Sequence, residues 1–289
     1  MRRQRRGKRK LAKAVREGAS YSPIQHLAYA LFLNHDPRQR YFVMLTPYIA
    51  YFDASGSRSQ GTMLIVAGYI SCVEDWLHFE TEWGKVLGQA GIKCFHMTDF
   101  IRGEGEFKNR KWKRQETQDK FLGKLVDITC KHVDYCPGAF VYLSDWREIN
   151  KMFCLKESCH TPLALAGGMC VHMVYDWCRD HAINPNYVRF IFEDGDEDKG
   201  HLIKMIKTVY GFTPGFEKKA LAPLQACDLV AWEANKAERK AIKNINGFRP
   251  SFQQIISRIK TDHIAFDATS LIRFCQKHNI EKRVEGPHE

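Results

Sequence analysis

Three acidic positions fall where the surrounding apolar runs would otherwise bury only hydrocarbon: Asp53, the neighbours Glu193 and Asp194, and Asp228. An ionised side chain in such a place is costly unless a cation or hydrogen-bond donors accompany it, so acids recurring at the ends of core elements point to a metal site. Three carboxylates can supply hard oxygen ligands for Mg²⁺ or Mn²⁺ and leave positions for water and a phosphate. An ion held there lowers the pKa of the attacking water and neutralises charge on a scissile phosphate. The implied chemistry is divalent-metal hydrolysis of phosphodiester bonds, with Asp53, Glu193 and Asp228 as the catalytic acids and with Asp53, Asp228 and either Glu193 or Asp194 as ligands.

Each of these residues has a plainer use. Asp53 can cap a turn by accepting from the amides of Ser55 or Gly56. Glu193 and Asp194 can open a solvated acidic turn that continues through Asp196, Glu197 and Asp198; strand parity lets only one of the two share a face with the site, and Glu193 is preferred. Asp228 can be neutralised by a buried Lys or Arg. The metal reading therefore requires that the acids meet within coordination reach and that no basic side chain fills the space between them. Ser55, His96, Asp99, Lys218 and Lys219 are candidate substrate-binding groups, and Trp112 in the basic stretch 108–114 is available to stack on a base. Cys154, Cys159 and His160 do not match the usual zinc spacings, and no second pair lies at a fitting distance.

The elements that must position these groups alternate. Residues 47–53 (PYIAYFD) read as a strand that Asp53 closes, residues 54–61 as turn chemistry, and residues 62–71 (TMLIVAGYIS) as a second buried strand, together a β-hairpin. By the two-residue period Asp53 shares a face with Ile49 and Tyr51. Residues 73–89, 117–133, 162–182 and 201–210 and the run beginning at Pro223 carry helical spacing, and residues 138–146 and 186–194 read as strands. Asp228 lies in the second turn of its helix with Leu224 at i−4 and Ala231 at i+3, so it shares the apolar face that should lie against a sheet. A hairpin followed by alternating helices and strands predicts an α/β protein with a mixed β-sheet and flanking helices. In open α/β sheets ligands favour the carboxyl ends of strands, where Asp53 and Glu193 lie.

The chain of 289 residues, 44% hydrophobic, is long enough for one large domain. No apolar run approaches the roughly 18 residues that cross a bilayer, which predicts no membrane association. Ten cysteines without a C-x-x-C pair suggest reduced thiols and a cytoplasmic protein. Charge is uneven: residues 1–43 hold eleven Lys or Arg against Glu17 and Asp36, which is +9 of the total of +11. Such an arm can grip nucleic-acid phosphates without sequence specificity, and it can equally be a solubilising tail. Ile24, Leu27, Ala28 and Leu31 predict a short amphipathic helix joining it to the body. The expected organisation is a basic arm and short helix over 1–43, a main domain over 44–243, and a helical extension over 244–289.

The pieces YFDASG, AGYI, FHMTDF, FIFEDG and PLQACDLVAW resemble the domain of unknown function 3800 family over roughly Tyr48 to Asn235. That resemblance implies a ribonuclease H-like fold and nuclease-like chemistry, with Asp53, Glu193 or Asp194, and Asp228 matching the family's acids. One departure stands out: Ala54 follows the first acid where the family usually has Glu. A catalytically inactive nucleic-acid-binding or regulatory module on the same fold is therefore the alternative reading. A sugar-kinase or actin-like ATPase is disfavoured, because those proteins need two such domains.

Overall fold

The computed structural model describes residues 48–56 and 62–283. The basic arm, the short helix and the tip of the hairpin turn lie outside the described residues. A six-stranded mixed sheet organises the chain. Its strands are β1 (Tyr48–Ser55), β2 (Met63–Cys72), β3 (Tyr135–Tyr142), β4 (Val188–Glu193), β5 (Gly215–Glu217) and β6 (Lys260–Phe266), in the spatial order β5-β4-β1-β2-β3-β6. β1 pairs antiparallel with β2 and β2 with β3, whereas β4 runs parallel to β1, β5 to β4 and β6 to β3. The α/β class and the opening hairpin are as the sequence predicts. β2, whose sequence is apolar at almost every position, is buried over nearly its whole length, as expected of a central strand covered on both faces.

Helices cover the two faces. On one side α8 (Ala222–Ile242) lies across β1 and β2, with α1 (Val73–Ala90), α2 (Met97–Arg102) and α3 (Gln115–His132) beside it. On the other side α6 (Pro162–Asp180) lies across β2 and β3 and carries α7 (Lys199–Tyr210); α4 (Leu143–Met152), the short α5 (Leu155–Cys159) and α10 (Ala268–Lys277) complete that layer. α9 (Pro250–Arg258) packs on α3 and leads into β6. Local signals explain the helix starts: Pro162 opens α6 behind Thr161, whose hydroxyl accepts the Ala164 amide at 3.2 Å.

Strand parity divides the core. Ala50 and Phe52 point toward α6, where Phe52 stacks on Phe192 at 4.8 Å between ring centroids. Ile49, Tyr51 and Asp53 belong to the opposite side: Tyr51 packs edge-on against Trp76 of α1, and Cys227 of α8 donates its thiol to the Tyr51 carbonyl at 3.2 Å. This is the face predicted for Asp53.

Three expectations are corrected. β1 continues to Ser55, so Asp53 lies inside the strand, paired with Ala67, and does not close it. The segment 244–289 is not only helical: β6 joins the main sheet beside β3, and its mostly polar sequence KTDHIAF is tolerated because it is an exposed edge. The stretch 108–114 does carry exposed Lys and Arg, but Trp112 is buried among Phe100, Phe107 and Phe121, with ring centroids 6.2, 5.1 and 4.9 Å away. It fastens the segment to the core and has no face to offer a base.

A lysine-centred carboxylate cluster as candidate functional site

Register brings the first two acids together. Phe52 and Phe192 are partners across parallel β1 and β4, so the next residues, Asp53 and Glu193, are neighbours on the face turned toward α8. Asp228 reaches the same point from the second turn of α8. The fourth member is Lys219, from the short connection between β5 and α8. Its Nζ lies 3.1 Å from Asp53 Oδ2, 3.1 Å from Asp228 Oδ1 and 3.6 Å from Glu193 Oε1. The acids do meet, as the sequence predicts, but a basic side chain fills the gap between them. The requirement that the gap be empty is not met, so these acids can hold a metal only if Lys219 first leaves the gap.

Two of the carboxylates are aimed by the backbone. The Ala54 amide donates to Asp53 Oδ1 at 2.7 Å, and the Met97 amide donates to Asp228 Oδ2 at 2.6 Å. In each acid one oxygen is fixed by a peptide N–H and the other faces Lys219, an arrangement that pre-sets where a cation is held. The Asp53 contact is the turn-capping alternative in altered form, since the donor is Ala54 and not Ser55 or Gly56.

The electrostatics do not balance within the cluster. Three carboxylates surround one ammonium, which leaves two negative charges in excess if all are ionised. Asp53 is 2% exposed, and burial pushes its carboxyl well above the usual range; Lys219 opposes that, while Asp228 and Glu193 add to it. Burial pulls the Lys219 ammonium down, but Asp53, Asp228 and Glu193 together carry it above its ordinary value. Lys219 is thus held charged, and Asp53 keeps its proton more readily than a solvated aspartate.

The remaining predicted groups separate. Asp194 turns away and pairs with Lys199 at 2.7 Å, so the choice between the two neighbours falls on Glu193. His96 sits at the margin, its Nδ1 3.3 Å from Asp99 and its Nε2 3.8 Å from Asp228 Oδ1. Ser55 follows on the Asp53 face at the partly exposed end of β1, and Lys218 is exposed to solvent. Ala54 packs on the α6 side of β1, against the core cluster that contains Phe52 and Phe192. A longer side chain at position 54 would therefore start from the α6 side of the sheet and not from this cluster.

Sequence reading missed one residue that shapes the site. Gln225 is buried, and its Oε1 accepts from Trp83 Nε1 at 3.0 Å and from the Phe95 amide at 2.9 Å. Gln225 and Asp228 are one helical turn apart and capture the alternate amides of Phe95 and Met97. The LQACDL run is thus an anchor for the segment carrying His96, and the i, i+3 spacing of its two polar residues within an apolar helix was the available signal.

Comparison of the chain with models of known protein families, with curated proteins and with solved structures finds no match.

The chemistry of the donor set fits a hard divalent cation: three carboxylates from two adjacent strands and a packed helix, with an ammonium standing where the positive charge belongs. The spacing is that of an ammonium. Mg²⁺ takes oxygens at about 2.0–2.1 Å, whereas these stand at 3.1–3.6 Å from Nζ, and no group of three His, Cys, Asp or Glu among the described residues is disposed to hold a metal as it stands.

Proposed function

We propose that the protein is a divalent-metal-dependent nuclease, hydrolysing phosphodiester bonds of DNA or RNA at the cluster of Asp53, Glu193 and Asp228 with Mg²⁺ or Mn²⁺. The observation that carries this reading is the convergence of one oxygen each of Asp53, Asp228 and Glu193 on a single cation position, now held by the Lys219 ammonium, at the carboxyl ends of parallel β1 and β4. A mixed sheet that opens on an antiparallel hairpin and then adds strands across helices supports the ribonuclease H-like reading of the fold, and with it the resemblance to the domain of unknown function 3800 family.

When bound, a divalent ion supplies an activated water and neutralises charge at the scissile phosphate. The chain's own residues do the rest. The Ala54 and Met97 amides keep Asp53 and Asp228 aimed at one position, so binding an ion asks only that Lys219 withdraw and the carboxylates close inward. His96, braced by Asp99, lies within reach of a phosphate oxygen or a leaving oxygen next to Asp228. The exposed Lys and Arg of residues 108–114 supply positive charge for the polyanion. Free thiols at all ten cysteines suit a reducing, cytoplasmic setting, and no helix among the described residues is long and apolar enough to cross a membrane.

A second reading has its own observation. Lys219 neutralises part of the cluster from within, which is what a nucleic-acid-binding or regulatory module without turnover would retain. One experiment separates the two. Single- and double-stranded DNA and RNA are incubated with the full chain in Mg²⁺, Mn²⁺ or chelator, alongside Asp53→Asn. Metal-dependent cleavage that Asp53→Asn abolishes while its circular dichroism stays native supports the nuclease. No cleavage with either metal, or cleavage undiminished in Asp53→Asn, overturns it; salt-dependent binding without cleavage then favours the module.

A further inference from the structure

We propose that Lys219 is an exchangeable counter-ion: its ammonium and a divalent cation compete for one position among Asp53, Glu193 and Asp228, so that the cluster holds either the lysine or the metal. The inference rests on the cluster being a metal site and deepens that reading by assigning what guards it. Geometry makes the occupants exclusive. Nζ stands 3.1, 3.1 and 3.6 Å from the three carboxylate oxygens that would be ligands, so an ion bound by the same oxygens would overlap it. Charge gives the metal a reason to displace the lysine: an ammonium leaves two negative charges over, while a divalent ion would leave one.

The lysine has somewhere to go. Its side chain keeps 20% of its surface exposed, and it springs from the connection between β5 and α8, where a flexible four-carbon stem can turn toward solvent without disturbing either element. The Ala54 and Met97 amides aim Asp53 and Asp228 at the shared position. The partner that changes place is the cation, and the acids need only close in on a smaller ion. Without metal the lysine keeps the frame from flying apart by like-charge repulsion. With metal, its withdrawal places a positive group at the mouth of the site, beside the position of an incoming phosphate.

The test compares Mn²⁺ binding, by calorimetry or by electron paramagnetic resonance, in the full chain and in Lys219→Met, which keeps the stem and removes the charge. If the lysine occupies the cluster more than nine-tenths of the time, its removal should tighten Mn²⁺ binding by about tenfold or more, because affinity scales with the fraction of molecules competent to bind. The same variant should melt at a lower temperature in chelator and regain most of the loss in Mn²⁺. Lys219→Arg, which keeps a cation, should gain no affinity, and Lys124→Met, at an exposed position of α3, should bind as the parent does. Parent binding that Lys219→Met leaves equal or weaker overturns the exchange while sparing the metal site. Absence of Mn²⁺ binding to the parent and to Lys219→Met overturns both. Should Lys219→Met fail to fold, Lys219→Gln serves, with the same outcomes.

Discussion

Asp53 and Glu193 stand side by side on parallel strands, one residue beyond the paired Phe52 and Phe192, so a single register fixes both the stacked rings on one face of the sheet and the acids on the other. Sliding β4 by one residue would bury Glu193 against α6 and expose the cluster to Asp194. The catalytic proposal thus depends on an apolar pairing whose rings stack on the opposite face of the sheet.

Acid and alkali should affect stability in definite directions. The Asp53 carboxyl is raised by burial, so between the ordinary aspartate range and its raised value the folded chain holds a proton that the unfolded chain has released. In that window stability falls as pH rises. Thermal melts of the metal-free protein taken upward in pH from the ordinary aspartate range should decline more steeply for the parent than for Asp53→Asn, which has no proton to lose. Lys219 acts at the other end: its stabilisation is complete below the ordinary ammonium range and fades as pH climbs through its raised value. A Lys219→Met curve that still shows the full alkaline loss would count against this assignment.

Gln225→Leu should destabilise the protein by about 1–3 kcal/mol for each of the two donors it strands, Trp83 Nε1 and the Phe95 amide. The measurement is a denaturant midpoint. Hydrogen exchange should show the 94–97 segment losing protection ahead of the strands. Equal protection across both would mean that Asp228 alone holds that segment.

Gly68→Ala should cost about 3 kcal/mol or prevent folding. A Cβ there would stand 1.9 Å from the Tyr51 carbonyl oxygen and 2.9 Å from the Phe52 Cα, both parts of β1 just before Asp53. Tyr51 is also buried against Trp76, so β1 has no room to retreat. Wild-type stability and undiminished Mn²⁺ binding in this variant would show that the hairpin is looser than its packing indicates.

Much of this arrangement is legible in the sequence. The two-residue period of PYIAYFD put Asp53 on the Ile49 and Tyr51 face, and the apolar neighbours of Asp228 turned it toward the sheet, because alternation and helical spacing are local properties. Lys219 is legible in the sequence only as a candidate substrate-binding group. It follows a three-residue strand, and no periodicity fixes the path of the connection that carries it, so its place among the acids is decided by tertiary packing. β6 escaped for a related reason: an edge strand has one neighbour and little to bury, and KTDHIAF shows no apolar alternation. Trp112 is buried although its lysine and arginine neighbours suggest a solvated loop, because one aromatic ring suffices to pull such a loop onto a core.

Gln225 and Asp228 each grip a peptide amide of the segment bearing His96, and Asp53 and Glu193 belong to the sheet. The pocket is consequently split between two carriers: a helix with its tethered loop, and a pair of strands. A small slide of α8 along β1 would widen or narrow the space by moving Asp228, His96 and Asp99 as one block while leaving the other two acids in place, a sliding jaw closing on a fixed anvil.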